Sequence, residues 1–212
     1  MITSLYQSLC NMEQNYADRI AIRYYNEETQ SVVEVGYPEY ASNLRRVVAC
    51  LRAKVPDLKG KRIAILARNS YDYVMDMYGA VLAGAVAVPL NLGKDWDAIQ
   101  YELGLTEPEL IFHDGEFADR EPALLEKYGS ILQPMDAYKA FAPAQDVTEV
   151  DDLSALAFIM FTSGTTGRSK GVMLSQKNLF AAMPAFLKPF DDIRAYTGWD
   201  TSKFSSLSCL PM

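Results

Sequence analysis

Seven consecutive apolar residues, Ala155 to Phe161 (ALAFIMF), run directly into Thr162-Ser163-Gly164-Thr165-Thr166-Gly167-Arg168-Ser169-Lys170-Gly171. The apolar run has the length of a strand and no polar alternation, which predicts a central strand buried on both faces of a parallel sheet. The ten residues that follow hold three glycines, five hydroxyl side chains and two cations. Glycine allows positive φ and close approach of the backbone, so successive N–H groups can converge on an anion. Ser and Thr add hydroxyl donors, and Arg168 and Lys170 supply positive charge. A loop leaving the carboxyl end of a sheet strand lies where α/β folds bind ligands. Polyphosphate is the ligand this composition favours. The glycines at 164, 167 and 171 fit neither the Walker pattern G-x-x-x-x-G-K-[ST] nor the dinucleotide fingerprint G-x-G-x-x-G. A solvent loop built of turn residues is the competing reading.

The rest of the chain agrees with an α/β sheet. Leu5, Leu9 and Met12 share one helical face, and alternation over Arg19 to Tyr25 and Ser31 to Tyr37 predicts a β-hairpin around 26–30. Pro38 precedes an amphipathic helix over 39–55 that carries Leu44, Val47, Val48, Leu51 and Val55. Strands are expected at Arg62 to Ala67, Ala85 to Leu90, Leu110 to His113 and Ile131-Leu132, with helices over 70–84, 119–128 and, polar in character, 94–105. Strand and helix alternating at this pitch predict parallel pairing with flanking helices. Residues 142–152 read as a polar surface connection. Val172 to Leu174 is a short apolar run, and Ser175 is placed to cap a helix from about Gln176 to Leu187.

At 212 residues the chain is long enough for one or two domains. A net charge of −7 without a dense Lys/Arg run argues against binding nucleic acid. The single histidine, His113, follows Leu110, Ile111 and Phe112 and reads as a structural residue at a strand end. Cys10, Cys50 and Cys209 lie too far apart in sequence to make a zinc site, and an odd number of widely spaced cysteines fits cytosolic thiols. No run reaches the length of a transmembrane segment. The expectation is a cytoplasmic protein.

The segment Phe161 to Val172 resembles the phosphate-loop signature of the adenylate-forming superfamily, which contains acyl-CoA synthetases, peptide-synthetase adenylation domains and luciferases. The usual pattern runs T-S-G-T-T-G-x-P-K-G-V, and Ser169 alone departs from it, standing in the proline position. Ser175-Gln176 stands where a Ser-His pair commonly follows. Leu82 to Asn91 is similar to the A-G-A-x-x-V-P-L-N segment of that family, although packing explains its apolar content equally well. Tyr37 to Leu44 resembles the family's aromatic-x-E-L helix start, and Leu210-Pro211-Met212 resembles the opening of its L-P-x-x-H motif.

The resemblance implies the N-terminal part of the large domain of an adenylate-forming enzyme, spanning 1–212, with a mostly parallel sheet, flanking helices and an N-terminal β-hairpin. It implies ATP and Mg²⁺ as cofactors, a small carboxylate as substrate and coenzyme A as acyl acceptor. By the same likeness Thr162, Ser163, Gly164, Thr165, Thr166, Gly167 and Lys170 hold the polyphosphate, and Thr162 or a neighbouring hydroxyl meets the Mg²⁺. The later motifs of the family fall beyond Met212, so no catalytic residue is assigned. The expectation is a piece of a longer acyl-CoA ligase, inactive alone. A peptide-synthetase adenylation domain and a non-catalytic nucleotide-binding module remain as alternatives.

Overall fold

The computed structural model describes residues 2–115, 122–162 and 168–198. Helix α1 (Leu5–Asn15) starts where the Ser4 hydroxyl accepts the Gln7 N–H at 3.1 Å. This satisfies one of the amide donors that a helix start leaves without a partner. Strands β1 (Ile20–Asn26) and β2 (Ser31–Gly36) pair antiparallel as the expected hairpin, with Gln30 left-handed at φ 51° in its turn. Helix α2 (Tyr37–Lys54) takes Pro38 in its first turn, where the missing N–H costs no ladder bond.

A six-stranded sheet follows. Its strands are β3 (Arg62–Leu66), β4 (Val86–Pro89), β5 (Leu110–His113), β6 (Leu132–Pro134), β7 (Leu156–Thr162) and β8 (Lys170–Ser175), in the spatial order β6-β5-β3-β4-β7-β8. All neighbours are parallel except β7 and β8, which are antiparallel. Helices α3 (Tyr71–Leu82), α4 (Trp96–Thr106) and α5 (Pro122–Tyr128) lie between the parallel strands in sequence, and α6 (Gln176–Thr197) follows β8. The Ser70 hydroxyl caps α3 by accepting the Tyr73 N–H at 3.1 Å, and the Asp95 carboxylate caps α4 by accepting that of Ala98 at 2.8 Å.

The two-residue period of β3 divides the core. Ile63 and Ile65 join Val47, Leu51, Met75 and Ala80 in a cluster under α2 and α3, whereas Ala64 and Leu66 join Ile99 and Leu103 of α4 on the opposite face. Strand β5 repeats the division, with Leu110 and Phe112 on one side and Ile111 on the other. A strand covered on both faces accordingly reads as a continuous apolar run. Helices α2 and α3 approach closely because Gly79 lacks a side chain opposite Val47.

Four sequence expectations change. β7 is next to the edge, not central, and only Ala157 and Phe158 of it are buried, while Met160 is exposed. Continuous apolarity did not distinguish the centre of the sheet from its flank, because β3 and β4 have the same texture. The supposedly polar helix α4 fully buries Ile99 and Leu103 and also Glu102. The Val172 to Leu174 run belongs to a longer strand antiparallel to β7. Helix α6 continues past Leu187 through Pro184 and Pro189, each of which deletes a ladder bond. Of the expected 119–128 helix, residues 122–128 are helical and 119–121 lie outside the described residues.

Candidate functional site

Because β3, β4, β5 and β7 are parallel, their carboxyl ends share one edge of the sheet. Thr162 ends β7 and Lys170 begins β8, and the two are cross-strand partners. Both are exposed, and the Thr162 hydroxyl donates to the Lys170 carbonyl at 3.5 Å. The lone pairs of that hydroxyl stay available to a cation or a donor. Among the described residues no carboxylate pairs with Lys170, so its charge is open to an anion. Ser163, Gly164, Thr165, Thr166 and Gly167 lie outside the described residues. Thr162 and Lys170 are therefore the members of the sequence-derived set whose geometry is described, and they stand together.

Gly171 has a specific packing role. A Cβ there would sit 3.0 Å from Ile159 Cγ2 and 3.5 Å from Phe161, so the missing side chain lets β8 lie close over the side chains of β7. This seats Lys170 directly against the end of β7.

A second group of residues at the same edge was not foreseen from sequence. Lys94, just before α4, forms an ion pair with Glu102, which is 0% exposed. The Lys94 ammonium also donates to Ser169 Oγ at 3.3 Å and lies 5.7 Å from the centroid of the Phe161 ring. The Arg168 guanidinium sits 5.1 Å over the Tyr101 ring. The available signal was Glu102 itself, one residue before Leu103 on a helix whose apolar face includes Ile99 and Leu103. It was unreadable without knowing that α4 packs on the sheet.

His113 is at the end of β5, half-buried, and its Nδ1 accepts the Gly115 N–H at 3.1 Å. Burial pushes its imidazole below the usual histidine range, against the opposing charge of Asp114. A neutral ring accepting a backbone bond fits the structural role expected from sequence. Gln176, in the position of the expected histidine, is also buried, and its Oε1 accepts the Leu5 N–H at 2.9 Å. It ties the start of α1 to the start of α6. Among the described residues no group of three or more His, Cys, Asp or Glu could hold a metal ion, and Cys10 and Cys50 are free thiols. No described helix is long and apolar enough to cross a membrane.

Comparison with known proteins points to one family. The sequence profile of a family described as AMP-binding enzyme matches residues 11–212. The chain is 29% identical over 148 residues to the mitochondrial malonate–CoA ligase ACSF3 of Mus musculus, covering 68% of this chain and 25% of that protein. It is 29% identical over 153 residues to bacitracin synthase 3 of Bacillus licheniformis, covering 69% of this chain and 2% of that protein. The O-succinylbenzoate coenzyme A synthetase (MenE) of Bacillus subtilis, solved in complex with AMP, superposes with a TM-score of 0.70 at 27% identity. That match covers 85% of this chain and 45% of the other. The chain thus spans about a quarter of the length of the ligase it matches.

Proposed function

The chain belongs to the AMP-binding enzyme family, and on that premise we propose that it forms the N-terminal part, residues 1–212, of the large domain of an ATP-dependent acyl-CoA ligase. The observation that carries the reading is the exposed Thr162 and Lys170 pair at the carboxyl edge of the parallel strands. A cation and a hydroxyl oxygen held in register there fit a polyphosphate, and they close the segment whose composition suits phosphate binding.

In the proposed reaction a carboxylate oxygen attacks the α-phosphorus of ATP. An acyl–O–P bond forms, the bond from the α-phosphorus to the bridging oxygen breaks, and pyrophosphate leaves with the electron pair. Negative charge therefore grows on the β and γ groups, and donors aimed at them lower the barrier. We assign that role to Ser163, Gly164, Thr165, Thr166, Gly167 and Lys170, with Lys170 as the cation and Thr162 at the start of the loop. Mg²⁺ bound by nucleotide needs few protein ligands, since phosphate oxygens and water supply the rest. The Thr162 hydroxyl is the oxygen we assign to it, and the ion would neutralise phosphate charge there. A thiol, coenzyme A in the first instance, then attacks the acyl carbon and AMP leaves. Cys10 and Cys50 are not paired with each other, which fits the cytoplasmic location we assign to the protein.

The likeness to bacitracin synthase 3 supports a second reading, a peptide-synthetase adenylation domain, which would activate an amino acid and pass it to a carrier thiol. Carboxylate-dependent ATP–pyrophosphate exchange separates the two. The longest polypeptide that contains residues 1–212 is assayed with malonate, aromatic acids, fatty acids and amino acids, followed by coenzyme A thioester formation. The ligase reading expects exchange with a non-amino acid, a coenzyme A thioester product, and a loss of about 10²-fold for Lys170→Ala. Residues 1–212 alone should give no exchange. Amino-acid-only exchange favours the second reading, and exchange with no carboxylate at all refutes both.

A further inference from the structure

The ammonium of Lys94 is the point where three elements meet. It is paired with Glu102 of α4, donates to Ser169, the residue before β8, and lies beside the Phe161 ring at the end of β7. Phe161 and Ser169 flank residues 163–167 on either side, so one side chain touches both stems of that segment. Glu102 is what keeps Lys94 there. Its side chain is 0% exposed, and its second oxygen, Oε2, has no hydrogen-bond partner among the described residues. A buried carboxylate is costly unless a cation accompanies it, so the ammonium cannot swing to solvent without stranding a charge in the core. The adjoining contact of Arg168 with Tyr101, the residue before Glu102, docks the same stem on the same helix.

Ser169 completes the arrangement. A proline at this position, the residue of the pattern that the loop otherwise resembles, has no side-chain acceptor for Lys94. The serine hydroxyl instead accepts a second hydrogen bond from the ammonium. Rigidity that a proline ring would supply through φ is here supplied through a hydrogen bond to an ammonium paired with a buried carboxylate.

We propose that Lys94, anchored by Glu102, is a positioning residue that holds the Phe161 and Ser169 stems at a set separation, and so aligns Lys170 for phosphate. The alignment of Lys170 rests on the ligase reading. The mechanical link between the stems does not.

Amide hydrogen exchange, measured without nucleotide on the longest polypeptide containing this chain, tests the link directly. Ser169→Ala is expected to speed exchange over 168–171 about three- to tenfold, the range that loss of one hydrogen bond of ordinary strength produces. Lys94→Met paired with Glu102→Met removes both charges together, so no carboxylate is stranded, and is expected to speed exchange at both stems. The triple variant should exchange no faster than that pair, because Ser169 acts through Lys94. Lys94→Arg, which keeps the charge and donors, should restore protection. Unchanged exchange in Ser169→Ala, or effects of the serine and the pair that simply multiply, overturns the proposal. If the Met pair does not fold, Ser169→Ala against wild type still decides it. In the ATP–pyrophosphate assay Ser169→Ala should raise KM for ATP several-fold and leave KM for the carboxylate unaltered. Equal changes in both overturn the alignment of Lys170, whereas a wild-type protein without exchange activity refutes the ligase reading and leaves the hydrogen-exchange result to judge the link.

Discussion

Gly79→Ala tests how closely the two helices on one side of the sheet are packed. A Cβ at position 79 would lie 2.5 Å from both Cβ and Cγ1 of Val47 and 3.2 Å from its Cγ2. Carbon atoms in contact sit about 3.5–4.0 Å apart, so α2 and α3 would have to separate by roughly 1 Å. Neither helix can yield cheaply. Val47 is 0% exposed in the main core, its Cβ is fixed to the backbone, and its branched side chain has one strongly preferred rotamer in a helix. Two effects of opposite sign compete. Alanine gains up to about 1 kcal/mol of helix propensity over glycine. Overpacking of a filled core costs about 1–3 kcal/mol, and contacts at 2.5 Å with backbone-anchored atoms belong at the upper end. The net expectation is a loss of about 1–2 kcal/mol, which for a chain of this size lowers Tm by about 2–8 °C. Urea denaturation followed by circular dichroism measures it. Val47→Ala removes Cγ1 and Cγ2 but leaves the Cβ at 2.5 Å, so the double variant should be more stable than the two single losses added together, by about 1 kcal/mol, yet not fully recovered. A Gly79→Ala protein as stable as wild type, or losses that add exactly, would refute the close approach of these helices.

Two further predictions concern buried ionisable groups. Burial, reinforced by Asp72 and Asp136 and opposed by Lys139, holds the Asp76 carboxyl well above its ordinary range, and neither oxygen has a hydrogen-bond partner among the described residues. The folded protein therefore keeps a proton that the unfolded chain releases above about pH 4. That stability is complete below pH 4 and falls as pH rises toward the folded-state value. Asp76→Asn carries no such loss, so its Tm advantage over wild type should widen from pH 4 to pH 8, and an advantage that narrows would contradict the assignment. The Cys50 thiol is buried and pushed up to about 11 by desolvation. Alkylation at pH 8 followed by mass spectrometry should leave it unlabelled until the protein is unfolded in urea, and rapid labelling of native Cys50 would show that the α2 core opens readily.

Much of the architecture could be read locally. The hairpin, α2 and the strand and helix alternation from residue 62 follow from hydrophobic period and from turn and cap residues. Ser70, Asp95 and Ser175 each cap the helix that follows. In the last case the Asn178 N–H donates to Ser175 Oγ at 3.1 Å, and the Asn178 side chain accepts the Ser175 N–H in return. Thr162 and Lys170 could be singled out as candidates for the same reason, since they belong to one short stretch whose composition suits the phosphate binding we propose. The position of β7 was not. A run such as ALAFIMF reports that a strand has apolar surroundings and does not report how many strands lie beyond it.

Sequence alone determined the order of elements and raised polyphosphate as the expected ligand of the Thr162 to Gly171 loop, because each depends on residues near one another in the chain. Tertiary structure decided the rest. Lys94 reaches Ser169 across 75 positions, and the Gln176 side chain reaches the Leu5 amide across 171. Glu102 is a surface-type residue by composition and a core residue only because α4 lies against Leu66, Val88 and Ile111. Such contacts come from the packing of a sheet with two covered faces, where helix orientation selects which polar side chain enters the core and which cation must follow it.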